Sequence, residues 1–170
     1  MRTILTVLLA VAALCSAETG RRAPGFSLRD SNGQQHDLAD YRGKVVVLEF
    51  MQTTCPHCAG FTPVLQQVQQ KYGDKVAILA IAVPSDTPAT VAQYVAGHKI
   101  TYPVMLECGQ VAYSYVRTGN IAFPHVYVVD ANGMIQGDWE YGPLTQGVFE
   151  GPALMAEIDR LLGAAATKKK

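Results

Sequence analysis

Three nearly unbroken apolar runs, each leading into a helix-like or turn-forming stretch, predict an α/β domain with a central mixed β-sheet flanked by helices. The runs are Val45 to Phe50, Val76 to Val83 and Val126 to Val129. Their lack of polar alternation fits strands covered on both faces. An N-terminal hairpin and a helix-strand insertion complete the expected architecture. The hairpin is read from Phe26-Ser27-Leu28-Arg29-Asp30 and the turn Asp30-Ser31-Asn32-Gly33, with Leu38, Tyr41 and Gly43 leading into the first central strand.

A helix is expected from Pro56, a residue suited to the first helical turn, to about Gly73, with a kink at Pro63. After the second apolar run, Asp86-Thr87-Pro88 caps a helix reaching about His98; Val104 to Leu106 reads as a short strand and Gln110 to Arg117 as a short helix. Asp130-Ala131-Asn132-Gly133 is a tight turn joining the third apolar run to Met134 to Glu140. Leu154, Ile158, Leu161 and Leu162 recur at helical spacing in a closing amphipathic helix.

Met1-Arg2, the apolar stretch Ile4 to Leu14 and Cys15-Ser16-Ala17 read as an export leader, residues 1–17, cleaved after Ala17 or retained as an anchor. The remaining chain, about 150 residues, suits one domain, 18–164, followed by a basic tail, 165–170. Fourteen basic and fourteen acidic residues cancel. Lys168-Lys169-Lys170 is the only basic run, so no nucleic-acid partner is expected.

The chemistry is concentrated in Cys55-Pro56-His57-Cys58, between the first apolar run and the first long helix. Cysteines two residues apart at a helix start lie on one face, close enough to join as a disulfide. Such a pair is a redox centre or a soft-metal clip. Beyond the leader only Cys108 remains, so an oxidising compartment would hold one pair and one spare thiol, which argues against a disulfide scaffold. Exchange needs a thiolate. Cys55, ahead of the helix and facing its free N–H groups, is expected to be the nucleophile, and Cys58, one turn inside, the resolving thiol.

About 150 mV, or roughly 7 kcal/mol for two electrons, separates a reducing from a strongly oxidising couple. A helix terminus supplies only about 0.3–2 kcal/mol. His57, able to donate a hydrogen bond or carry charge near Cys55, is the candidate for the rest. Glu49 falls on a buried strand, where its pKa should rise and suit a proton shuttle for Cys58; an ion pair with Lys44, Lys75 or another base is the alternative. His125 reads as a strand histidine without chemistry, Cys108 as a small buried hydrophobe and Trp139 as hairpin packing.

In order and spacing these marks resemble the thioredoxin superfamily and its exported TlpA-like branch, over essentially all of the segment beyond the leader. The resemblance is carried by Ala23-Pro24-Gly25-Phe26-Ser27-Leu28, the Leu38 to Lys44 stretch, the insertion at Thr87 to Leu106, the cysteine pair and Pro63. It implies a thioredoxin-like fold, a cis-proline at Phe123-Pro124 beside the disulfide, and docking of an extended substrate strand on the backbone there. Thr54 stands where the branch usually has tryptophan. Leu48-Glu49-Phe50 with Cys55-Pro56-His57-Cys58 is instead similar to DsbA-type disulfide oxidants.

The expected function is therefore exchange with protein cysteines through a redox-active Cys55–Cys58 disulfide, in the reducing direction, by a periplasmic monomer served by a membrane redox partner. No other cofactor and no resident metal is expected. The alternatives are disulfide donation and Cu(I) handling by the same sulfurs. A peroxidase would need Thr or Ser three residues before its reactive cysteine, where this chain has Gln52.

Overall fold

The computed structural model describes residues 20–116 and 121–167. The expected leader with Cys15, Arg117 and the Lys168-Lys169-Lys170 run lie outside the described residues.

Strands β1 (Ser27–Arg29) and β2 (Gln35–Asp37) form the antiparallel hairpin, closed by Asp30, whose carboxylate accepts from the Asn32 and Gln34 N–H groups at 2.8 and 2.9 Å. A 3-10 turn, Leu38–Tyr41, capped by the Asp37 side chain, leads into β3 (Val45–Met51). Then follow α1 (Pro56–Tyr72), β4 (Val76–Ala82), α2 (Pro88–His98), β5 (Val104–Leu106), α3 (Gln110–Tyr115), β6 (His125–Val129), β7 (Ile135–Glu140), α4 (Gln146–Phe149) and α5 (Pro152–Thr167). The central sheet has the order β5-β4-β3-β6-β7, with β3 parallel to β4 and antiparallel to β6. It is the mixed, helix-flanked sheet of a thioredoxin-like fold.

Burial explains this order. All seven residues of β3 are buried, so the strand needs a neighbour on each edge and cover on each face. On one face Val45, Val47 and Met51 pack with Phe61, Leu65 and Val68 of α1, Val91 of α2, and Leu154 and Ile158 of α5. On the other, Val46, Leu48 and Phe50 pack with Ala112 and Tyr115 of α3 and with Phe26 and Leu38 from the N-terminal segment.

Local signals set the helix ends. Pro56 opens α1 and Gly73, at φ 53°, closes it, while Pro63 lies inside the helix, which runs on to Tyr72. Thr87 and Thr90 form a reciprocal capping box on α2. Helix α5 continues through Ala165 and Ala166 to Thr167, past the expected domain end at 164, because alanine is the strongest helix former. Trp139 packs against the core on the inner side of β7, where its indole covers Gly137 so closely that any Cβ there would overlap it.

The packing makes a direct prediction. Leu154→Ala, at a fully buried site, should lower stability in urea by about 2–5 kcal/mol. The fully exposed Leu144→Ala should change it by less than about 0.5 kcal/mol.

Candidate active site

The sheet order converges the predicted residues on one end of β3. Leaving the sheet at Met51, the chain turns through Gln52 to Thr54 and enters α1 at Cys55, which is the helix N-cap. Because β6 runs antiparallel to β3, with His125 opposite Phe50, the residues just before it, Phe123 and Pro124, arrive beside the same turn. The Phe123–Pro124 peptide is cis. The half-buried Cys55 accepts a hydrogen bond at Sγ from the Cys58 N–H, 3.4 Å away, and its thiol donates to the Phe123 carbonyl at 3.6 Å. The first contact is the helix N-terminus acting on sulfur. The second ties the α1 cap to the strand-β6 side of the site.

Cys58 is fully buried one turn below. Burial pushes its thiol well above the usual range, and the nearby Glu49 charge pushes it further the same way. Glu49 itself is 1% exposed, set in β3 between Ala80 of β4 and Val126 of β6 on the α1 side of the sheet. Desolvation raises its carboxyl from an ordinary 4.5 to about 8, and Oε1 has no hydrogen-bond partner. The ion pairs of the described residues do not include it. Lys44 lies five positions back along the extended strand, about 16 Å away at a strand's rise, and Lys75 precedes the start of β4, so neither can neutralise it.

Hydroxyls surround the pair's buried side. The Thr62 hydroxyl donates to the Cys58 carbonyl at 3.2 Å and lies 2.9 Å from the Tyr94 hydroxyl. Burial raises the phenols of Tyr94 and Tyr102, and the Glu49 charge adds to both. The sequence singles out neither tyrosine; the one legible signal for Tyr94 is the apolar face of α2 that it shares with Val91. From the sequence Asp86 is expected only as part of a cap. The structure makes Thr87 the cap and turns Asp86 onto the active-site turn: its carboxylate accepts from the Thr53 N–H at 3.0 Å, from the Thr53 hydroxyl, and from the Thr90 hydroxyl at 3.2 Å.

His57 is exposed at the first turn of α1, stacked on Tyr141 with ring centroids 4.0 Å apart and planes 20° apart. No hydrogen bond of the described residues joins it to either cysteine. His125 is buried, bonded through Nε2 to Asp138 at 2.7 Å and stacked on Tyr127 at 4.7 Å. Cys108, expected to be buried, is exposed. Its neighbour Glu107 turns inward instead, accepting from the N–H groups of Gly109, Val111 and Ala112 at the start of α3, and this forces the next side chain outward. Among the described residues no group of three or more His, Cys, Asp or Glu side chains converges as a metal site.

Two thiols within one helical turn, one accessible and one buried over a carboxyl, can interconvert between dithiol and disulfide. Comparison with known proteins agrees: the AhpC/TSA family model matches residues 19–137. The chain belongs to this family. It is a thioredoxin-like thiol-disulfide oxidoreductase. It is 32% identical over 151 residues to the thiol-disulfide oxidoreductase ResA of Geobacillus thermodenitrificans, covering 80% of this chain and 83% of that protein. It is 33% identical over 158 residues to protein TrbB of Escherichia coli, covering 93% of this chain and 75% of that one. The thioredoxin domain of a thiol-disulfide oxidoreductase from Bacteroides vulgatus superposes with a TM-score of 0.65 at 25% identity, covering 79% of this chain and 97% of that domain.

The buried carboxyl carries a stability signature in this family member. A folded value near 8 against 4.5 unfolded means the native state holds the proton longer. Stability is therefore greatest below pH 4.5 with respect to this group, declines as pH rises to about 8, and stays reduced above it. Glu49→Gln removes the ionisation. It should raise stability at pH 9 by up to about 5 kcal/mol and by almost nothing at pH 4.5, measured by urea unfolding across pH.

Proposed function

We propose that this protein is exported and reduces disulfides in protein substrates, with Cys55 as nucleophile and Cys58 as resolving thiol. The observation that carries this reading is the asymmetry of the pair: Cys55 half-buried at a helix cap, Cys58 fully buried beside Glu49. The Cys55 thiolate attacks one sulfur of a substrate disulfide, forming a mixed disulfide and releasing the other substrate sulfur as a thiolate that takes up a proton. Glu49, as carboxylate, accepts the Cys58 proton, and the Cys58 thiolate attacks Cys55 Sγ. That step releases the second substrate thiol and leaves a Cys55–Cys58 disulfide. Two electrons have passed to the substrate, and a membrane thiol-disulfide donor returns two to the pair.

The reducing direction is supported by what surrounds Cys55. Its sulfur faces one backbone N–H and one carbonyl, and among the described residues no charged side chain is hydrogen-bonded to it. The imidazole that could hold a thiolate makes no hydrogen bond to it. A helix terminus contributes about 0.3–2 kcal/mol, well short of the roughly 7 kcal/mol that separates thioredoxin-like from strongly oxidising couples. Substrate docking as an added strand on the Phe123 backbone is supported by the 3.6 Å approach of that carbonyl to Cys55 Sγ. The cleft beside it, about 320 Å³, is lined by Gln52, Pro84, Tyr113, Ile121 and Phe123, apolar enough to take a substrate side chain. Export is supported by the sequence of residues 1–17. No helix of the described residues is long and apolar enough to cross a membrane.

Two experiments test the assignment. Cys58→Ser should accumulate a mixed disulfide between Cys55 and a disulfide-containing substrate such as insulin, visible on non-reducing gels, whereas Cys55→Ser should trap none. The reverse pattern would exchange the two roles, and Cu(I) binding with no trapping by either variant would select copper handling. In stopped-flow traces, resolution should accelerate as pH rises through about 8, where Glu49 becomes carboxylate. Glu49→Gln should slow it about 10²-fold or more at pH 8 and flatten the profile. An unchanged profile would remove Glu49 from the proton path.

A further inference from the structure

We infer that Tyr141, just past the end of β7, is a positioning residue for the redox couple: its ring holds the His57 imidazole against the first turn of α1 and so sets the equilibrium between dithiol and disulfide. This rests on Cys55 and Cys58 being the reactive pair.

Tyr141 is fixed on several sides. Its N–H donates to the Pro124 carbonyl at 3.1 Å, joining it to the segment that brings Phe123 to Cys55. Its ring meets Phe149 of α4 edge-on at 5.3 Å, and the turn that follows is held by the Thr145 hydroxyl on the Glu140 carbonyl at 2.6 Å. On this braced ring His57 lies nearly parallel, 4.0 Å away. His57 is otherwise exposed and makes no hydrogen bond among the described residues, so the stack is the contact that selects its rotamer. A hollow of about 200 Å³ beneath the pair, lined also by Gly60, Gln146 and Glu150, leaves room for the imidazole to swing away if Tyr141 is lost.

The electrostatics give the sign. The face of a phenol ring is negative and attracts a cation. Tyr141 therefore keeps the imidazole, a cation when protonated, at the helix end that carries Cys55, where positive charge stabilises a thiolate and hence the reduced protein. Removing the ring should make the couple more reducing.

The test is the equilibrium of the purified full chain with defined glutathione buffers, followed by thiol trapping. Tyr141→Leu should shift the equilibrium toward the Cys55–Cys58 disulfide by roughly two- to fivefold, the equivalent of an exposed cation–π contact. Tyr141→Phe, which keeps the ring, should stay at the wild-type value. In a His57→Ala background Tyr141→Leu should do nothing further. An unchanged equilibrium in Tyr141→Leu, or the same shift with and without His57, would overturn the inference while the redox reading stands. A wild-type chain that forms no Cys55–Cys58 disulfide at any glutathione ratio would overturn both. Should Tyr141→Leu fail to fold, the intact protein decides: stacking shifts the His57 ring protons upfield in NMR spectra, and unshifted protons would overturn the inference.

Discussion

An uncompensated carboxyl buried beside a buried thiol is the constraint around which this site is arranged. Glu49 faces the α1 side of a strand that has apolar neighbours in both directions, and it has no cation to lean on. An isolated buried charge is costly, so the carboxyl stays protonated far above its usual range. The same low-dielectric setting keeps Cys58 a thiol, and the Glu49 charge opposes its ionisation further. In the proposed mechanism the Glu49 carboxylate takes up the Cys58 proton only after Cys55 has reacted, so its buried charge is discharged in the step that forms the Cys55–Cys58 disulfide. The stability surrendered to hold Glu49 inside is thereby tied to the order of the chemical steps.

The fold supplies the geometry through the mixed character of its sheet. Parallel pairing of β3 with β4 sends both strands' C-terminal ends to one side, where Asp86 from the β4–α2 connection can pin the Thr53 backbone. Antiparallel pairing with β6 brings Phe123 to the same edge from the opposite direction. Cys55 therefore sits between a helix cap, a pinned turn and a backbone carbonyl, each contributed by a different part of the chain. Thr62, Tyr94 and Tyr102 close the site from below with hydroxyls rather than charges.

Much of this was legible because it is local. The three apolar runs, Pro56 at the start of α1, Gly73 at its end and the Asp130 to Gly133 turn announce themselves through periodicity and backbone preference. Glu49 was found because a carboxyl interrupting a buried strand is conspicuous. What escaped detection depends on tertiary contacts. The outward turn of Cys108 follows from Glu107 bonding inward to the α3 backbone, and no pattern of residue types distinguishes that from the opposite choice. Likewise, the stacking of Tyr141 on His57 joins residues far apart in sequence, and the four residues of α4 are too few to show a helical period. Resemblance supplied the place of Phe123 and Pro124, which local physics alone would have left as an ordinary strand entry.

Membership of the AhpC/TSA family and likeness to thiol-disulfide oxidoreductases fix the class of reaction, while the proposed roles of the two thiols rest on their different burial. The division of labour between Cys55 and Cys58 can be read directly from the reduced protein. Native reduced protein treated with iodoacetamide at pH 8, followed by peptide mass mapping, should carry label on Cys55 first, with Cys58 modified only after unfolding. Equal labelling of the two thiols in the folded protein, or preferential labelling of Cys58, would contradict the buried-thiol arrangement on which the mechanism depends.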